Sequence, residues 1–176
     1  ETVPADLLLA TDPDCDRVGI AVRQNGEYQL LTGNDVGAIM LYYILSRKTA
    51  NGNLPKSPIA VKTIVTSELC QQICDDFGCQ LINVLTGFKF IGEQAKKIEN
   101  TDEEFFFGYE ESYGYVIKDF VRDKDSLQAT LLLAEVASFY KEQNKTLVQV
   151  LNDIYEEFGY YQEGVLNIYL RGQEGS

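Results

Sequence analysis

The chain has 176 residues, 45% of them apolar and 24% charged, a balance that fits a globular protein and excludes a disordered, coiled-coil or collagen-like chain. Lys and Arg number 15 against 27 Asp and Glu, a formal net charge of −12, which opposes nucleic acid or an anionic membrane as partner. No apolar run reaches the roughly 18 residues that span a bilayer, and the lack of histidine removes His-based triads, His zinc sites and imidazole acid–base catalysis.

In chain order, Asp6 to Ala10 and Val18 to Val22 are short apolar runs. Gln24-Asn25-Gly26-Glu27 follows the second and leads into Tyr28 to Thr32, the strongest hairpin signal in the chain. Val36, Ile39, Met40, Tyr43 and Ile44 recur at helical spacing, which predicts a helix from about Asp35 to Arg47. Ala50 to Ser57 is a loop. Ile59 to Val65, with β-branched residues at nearly every second position, reads as a strand. Ser67 can cap a helix carrying Leu69, Ile73 and Phe77 and closed by Gly78.

Cys79 to Val84 is the next strand, Thr86-Gly87-Phe88-Lys89 a turn, and Ile91 to Glu99 a helix. Glu104 to Gly108 is an aromatic strand. Ser126 to Tyr140 and Leu147 to Phe158 are helices, with Asp125 or Ser126 as cap of the first and a Thr146–Gln149 capping box opening the second. Tyr160 to Leu170 reads as a final strand. The alternation of strand and helix predicts an α/β fold, a mixed β-sheet sandwiched by helices, with a seam near Gly33 behind the β-hairpin.

Four cysteines, Cys15, Cys70, Cys74 and Cys79, form no CxxC pair and read as small apolar residues of a reducing cytosol, so a cytoplasmic location is expected. The chain starts at Glu1 and stops soon after a strand-like segment, the look of a piece cut from something longer.

Thr11-Asp12-Pro13-Asp14-Cys15-Asp16-Arg17 places three carboxylates within five residues, and Pro13 keeps them out of a helix interior. Packed into one turn, they repel one another unless a cation joins them. Hard oxygen donors favour Mg²⁺ or Ca²⁺ over zinc. An EF-hand would need Gly where Arg17 stands and Glu where Arg23 stands, so that motif is rejected. An incomplete protein shell suits Mg²⁺, which often shares its coordination with a substrate phosphate; the bland alternative is a solvated acidic turn. In the Thr86–Lys89 turn, Gly87 lets backbone approach a ligand and Lys89 supplies a point charge for phosphate. In Gly108–Gly114, Glu110 and Ser112 suit bonds to sugar hydroxyls, the alternative being a capped, solvated turn.

Taken in order, these loops resemble the α-D-phosphohexomutase family, in particular its bacterial phosphoglucomutases. Thr11–Arg17 is similar to the family's metal loop Asp-Pro-Asp-x-Asp-Arg, and Thr86–Lys89 to its Thr-Gly loop with a following basic residue. Glu110-Glu111-Ser112 is similar to its sugar-recognition Glu-x-Ser. Lys124-Asp125-Ser126 is similar to its Lys-Asp-Gly, with Ser126 in place of the usual glycine.

The resemblance implies residues 1–32 as the close of a second domain with the metal loop, 33–160 as a third, sugar-binding domain, and 161–176 as a strand or linker toward a fourth. It implies Mg²⁺ held by Asp12, Asp14 and Asp16, with Arg17 orienting the phosphoryl group and Lys124 a candidate for proton transfer if its pKa is depressed. Gly87, Lys89, Glu110 and Ser112 would bind substrate. The expected activity is an intramolecular phosphotransferase that interconverts glucose 1-phosphate and glucose 6-phosphate through a phosphoserine and glucose 1,6-bisphosphate. The chain lacks the serine loop, so it is expected to be inactive alone and to have the remaining domains as partners. A mannose or pentose phosphate substrate, or a non-enzymatic Ca²⁺-binding module, are the alternatives.

Overall fold

The computed structural model describes residues 4–164. Its first unit is a three-stranded antiparallel sheet of β1 (Leu7–Thr11), β2 (Val18–Gln24) and β3 (Glu27–Leu31). Asn25 and Gly26 both take positive φ, 53° and 89°, so the two-residue turn has the twist that pairs β2 with β3. The sheet's inner face, Val18, Ile20, Val22 and Leu31, is buried in the main core together with residues of the helices named below. Its outer face is open, and Leu30 is 81% exposed.

Helix α1 (Gly33–Ala50) starts two residues before the sequence-based boundary and ends three after it. Thr32 and Asp35 form a reciprocal capping box that opens the helix at Gly33. Ala38, Leu41 and Leu45, off the expected apolar stripe, are buried as well, because β6, α2, α4 and α5 surround this helix.

The second sheet has the order β5-β4-β6-β7, from β4 (Pro58–Thr63), β5 (Gln80–Val84), β6 (Glu104–Glu110) and β7 (Gly114–Val116). The first three run parallel and β7 is antiparallel to β6, so the sheet is mixed, as expected. A register shift opposite Ile59 and Ala60 lets β6 carry one extra residue. Phe105 joins the smaller core with α3 (Phe88–Ile98), while Phe106 and Phe107 join the larger one. Helices α2 (Leu69–Asp76), α4 (Ser126–Lys141) and α5 (Leu147–Phe158) complete the layers. Helix α3 covers one face of the sheet with Ile91, Ala95 and Ile98, against Ile59, Val61 and Val84.

Several boundaries differ from the sequence reading. Strand β4 ends at Thr63, and Ile64 and Val65 are half-exposed in the turn beyond it. Glu68, not Ser67, precedes the first residue of α2, although the Ser67 hydroxyl still accepts from the Leu69 N–H at 3.2 Å. Helix α3 begins at Phe88, so Lys89 lies in its first turn rather than in a loop. Strand β7 was not anticipated. Tyr160–Gly164 has no regular structure, and Val165–Leu170, the rest of the expected last strand, lies outside the described residues. No helix among the described residues is long and apolar enough to cross a membrane.

Cys70, Cys74 and Cys79 are buried thiols and Cys15 is exposed. Burial pushes the Cys70 thiol up to about 12, so it is uncharged and inert at neutral pH.

Candidate functional site

Three parallel strands, β4, β5 and β6, deliver their carboxyl ends to one side of the sheet, the place where open α/β sheets bind ligands. The strand-end segments that follow, 64–67, 85–87 and 111–113, therefore gather there.

Glu110 is the last residue of β6 and is 8% exposed. Its carboxylate accepts the Gly87 N–H at 3.0 Å, which joins the 110–114 loop to the Thr86–Lys89 segment. Burial raises the Glu110 pKa, with the Gly87 bond and the charges of Lys124 and Arg17 opposing it. Gly87 has φ 116°, a conformation open to glycine and strained for other residues. Glu111 is anchored on the other side: Thr63 Oγ1 donates to its Oε2 at 3.3 Å, and Thr63 shares a 2.6 Å hydroxyl bond with Thr66. Beside them Lys62 is fully buried, with Nζ donating to the Thr66 carbonyl at 2.9 Å and to Glu68 Oε1 at 2.8 Å. Both bonds hold the segment at the end of β4. Gly33 touches the same loop so closely that a Cβ there would lie 1.9 Å from the Glu111 carbonyl oxygen. Ser112 is half-buried and Lys89 is exposed, its ammonium 4.9 Å from the centre of the Phe90 ring.

The aspartate loop links β1 to β2. Asp12 organises it: its Oδ1 accepts from the Asp16 and Arg17 N–H groups, each at 3.1 Å, and its carbonyl from the Cys15 N–H at 3.0 Å. Cys15 takes φ 57°. The turn brings one carboxylate oxygen each of Asp12, Asp14 and Asp16 within 4.8 Å of one another, the one such acidic or thiol cluster among the described residues. Three hard anionic donors this close fit a small divalent cation with coordination positions left for water or phosphate oxygen.

The loop is tied to the second sheet at several points. Arg17 bridges to Gly114 and the Val18 N–H donates to the Tyr113 carbonyl at 3.3 Å. Lys124 Nζ lies 2.9 Å from Asp16 Oδ2 and 3.2 Å from Asp123 Oδ1. The Ser126 hydroxyl and N–H both donate to the Cys15 carbonyl, at 2.5 and 3.3 Å. Asp125 caps α4, accepting from Leu127 and Gln128. Burial works against the Lys124 ammonium, but its bonds to Asp16 and Asp123 outweigh it and raise the pKa above the ordinary lysine value. The expectation for proton transfer is a depressed value, and these two bonds act in the opposite direction.

All four loops thus meet: aspartate loop to 110–114 loop, 110–114 loop to Gly87, and aspartate loop to the start of α4. The ties through Ser126, Thr63 and Gly33 are additions to the sequence reading. They join residues far apart in the chain, and only Ser126, where the motif carries glycine, left any trace in the sequence.

The fold is an α/β/α sandwich with its loops gathered at the carboxyl ends of parallel strands, and comparison with known proteins assigns it. Residues 32–158 match the family model described as phosphoglucomutase/phosphomannomutase, alpha/beta/alpha domain III. The chain belongs to the phosphoglucomutase/phosphomannomutase family. It is 37% identical over 172 residues to a phosphoglucomutase of Staphylococcus haemolyticus strain JCSC1435 and 36% identical to one of Staphylococcus aureus strain MRSA252. Each match covers 97% of this chain and 30% of the relative, so the chain spans under a third of the length of these relatives. Among solved structures it resembles the open form of the Paramecium phosphoglucomutase pp63/parafusin, with a TM-score of 0.68, 23% identity, and coverage of 88% of this chain and 25% of that one. It also resembles an Aspergillus fumigatus N-acetylphosphoglucosamine mutase in complex with GlcNAc-6P and magnesium, with a TM-score of 0.55, 14% identity, and coverage of 77% and 31%. At these identities the structures support the fold alone.

Proposed function

We propose that this chain is the metal-loop and sugar-recognition portion of a Mg²⁺-dependent phosphoglucomutase that interconverts glucose 1-phosphate and glucose 6-phosphate. In this reading residues 1–32 close the second domain, 33–160 form the third, and 161–176 lead toward the fourth. The observation that carries it is the meeting of four loops far apart in the chain: Gly87 on Glu110, Arg17 on Gly114, Lys124 on Asp16 and Ser126 on Cys15. Further support comes from the staphylococcal phosphoglucomutases and from a fold shared with a mutase whose complex holds GlcNAc-6P and magnesium.

Asp12, Asp14 and Asp16 would hold the ion. Bound there, Mg²⁺ supplies positive charge to neutralise the phosphoryl oxygens during transfer, a reaction that depends on positioning and charge more than on covalent chemistry. Arg17 presents a planar fork to the phosphoryl oxygens. Glu110 and Ser112 hold sugar hydroxyls, the carboxylate as acceptor and the serine as donor or acceptor. Gly87 lets the sugar approach the backbone. Lys89 and Lys124 add positive charge against the substrate phosphate. In this reading the 176 residues carry the binding loops without the family's serine loop, so the chain alone is expected to bind sugar phosphate without turning it over.

The reading is tested by calorimetric Mg²⁺ titration of the 176-residue chain and its Asp14→Asn variant. The expected result is weak Mg²⁺ binding that the variant reduces at least about tenfold, since one of three charged ligands becomes neutral. Equal affinity in the two proteins, or a clear preference for Ca²⁺ over Mg²⁺ without any response to sugar phosphate, would overturn it.

A further inference from the structure

The apex of the metal loop is Cys15, between two of the three aspartates, and its backbone is in the left-handed region at φ 57°. For a residue with a side chain this conformation costs about 1 kcal/mol or more unless its surroundings hold it. Three neighbouring carboxylates also repel one another and favour an open loop. Two sets of bonds oppose that opening. From inside, the Cys15 N–H donates to the Asp12 carbonyl and the Asp16 and Arg17 N–H groups donate to Asp12 Oδ1. From outside, Ser126 donates twice to the Cys15 carbonyl, through its hydroxyl at 2.5 Å and its N–H at 3.3 Å.

Ser126 is 1% exposed and is the first residue of α4. It spends no capping bond on its own helix, because Asp125 supplies the cap. Its hydroxyl is therefore free to reach across a separation of 111 residues to the loop.

We infer that Ser126 is a positioning residue of the cation site: it locks the apex of the aspartate loop so that the three carboxylates stay converged. This rests on the metal reading given above. The neighbouring tie, Lys124 to Asp16 Oδ2 at 2.9 Å, acts differently, because it takes an oxygen that a cation would use. Ser126 bonds only backbone and leaves every carboxylate oxygen available. Preorganising a ligand set in this way strengthens binding by removing the ordering cost from the binding step.

Ser126→Ala keeps the N–H and removes the hydroxyl. In calorimetric titration of the 176-residue chain, its Mg²⁺ affinity is expected to fall about five- to tenfold, the worth of one buried hydrogen bond. Ser126→Gly, the residue the family motif usually carries, is expected to show the same loss and serves if the alanine variant does not fold. Thr146→Ala removes the capping bond of α5 and the hydroxyl's bond to Gln24, a loss of stability with no tie to the aspartate loop, and is expected to leave Mg²⁺ affinity unchanged. Wild-type affinity in Ser126→Ala or Ser126→Gly, with Asp14→Asn still weakened, overturns the role of Ser126 alone. An equal loss in Thr146→Ala overturns it too, by showing a general effect of stability. Undiminished binding by Asp14→Asn overturns the metal reading and this inference with it.

Discussion

Glu110 shows how a single residue bears the conflict between stability and function. It is a carboxylate at the end of a buried aromatic strand, 8% exposed, with the Gly87 N–H on its Oε1. Burial raises its pKa above the ordinary glutamate value of 4.5. The folded state thus binds a proton more tightly than the unfolded chain, and stability falls as pH rises from about that ordinary value through the raised one. Above this window the ionised carboxylate is a standing cost. Glu110→Gln keeps an acceptor for Gly87 and removes the charge, so at pH 7 it is expected to melt no lower than wild type, while the sugar contact proposed for this carboxylate would weaken. The difference in melting temperature should shrink as the pH is taken down toward 4. A variant that melts well below wild type at pH 7 would show that the charge at this position stabilises the fold.

At the scale of elements, one turn and one cap were fully legible, whereas the Ser67 cap, the Thr86–Lys89 turn and the close packing were not. The hairpin at Asn25-Gly26 and the box that starts α5 at Thr146 follow from local chemistry, and both stand where the sequence puts them. The box at Thr32 and Asp35 is equally local, yet the apolar stripe of α1 by itself starts the helix two residues later, at Asp35. Thr32→Ala should cost about 1 kcal/mol and lower the melting temperature by about 2–4 °C in a domain of this size; an unchanged melting temperature would show that packing alone holds that end.

Strand β7 has three residues, too few for an alternating pattern, and exists because β6 offers it an edge. Helix α3 starts early because Phe88 is buried beneath the sheet, a tertiary fact with no local signal. The same limit applies to the site. The residue types of the four loops were readable from their order and spacing. Which loops touch was not, because Ser126 to Cys15 and Thr63 to Glu111 are contacts between distant parts of the chain.

For the whole molecule, the net charge of −12 takes on a local meaning. Asp12, Asp14 and Asp16 are clustered beside Arg17 and Lys124, so the acidic loop carries its own cations and is not a bare anionic surface. Under the proposed function, a small sugar phosphate would meet fixed positive charge from Arg17 and Lys124 beside the three clustered carboxylates. The central claim, that separate loops form one face for a sugar phosphate, is tested most directly by amide NMR of the 176-residue chain titrated with glucose 1-phosphate in Mg²⁺. Shifts are expected to concentrate in Thr11–Arg17, Thr86–Lys89 and Glu110–Ser112, with no glucose 6-phosphate appearing in the same sample. Shifts absent from these three segments, or centred instead on the remote cavity between Asp6, Arg23 and Lys145, would contradict it, as would turnover by the chain alone.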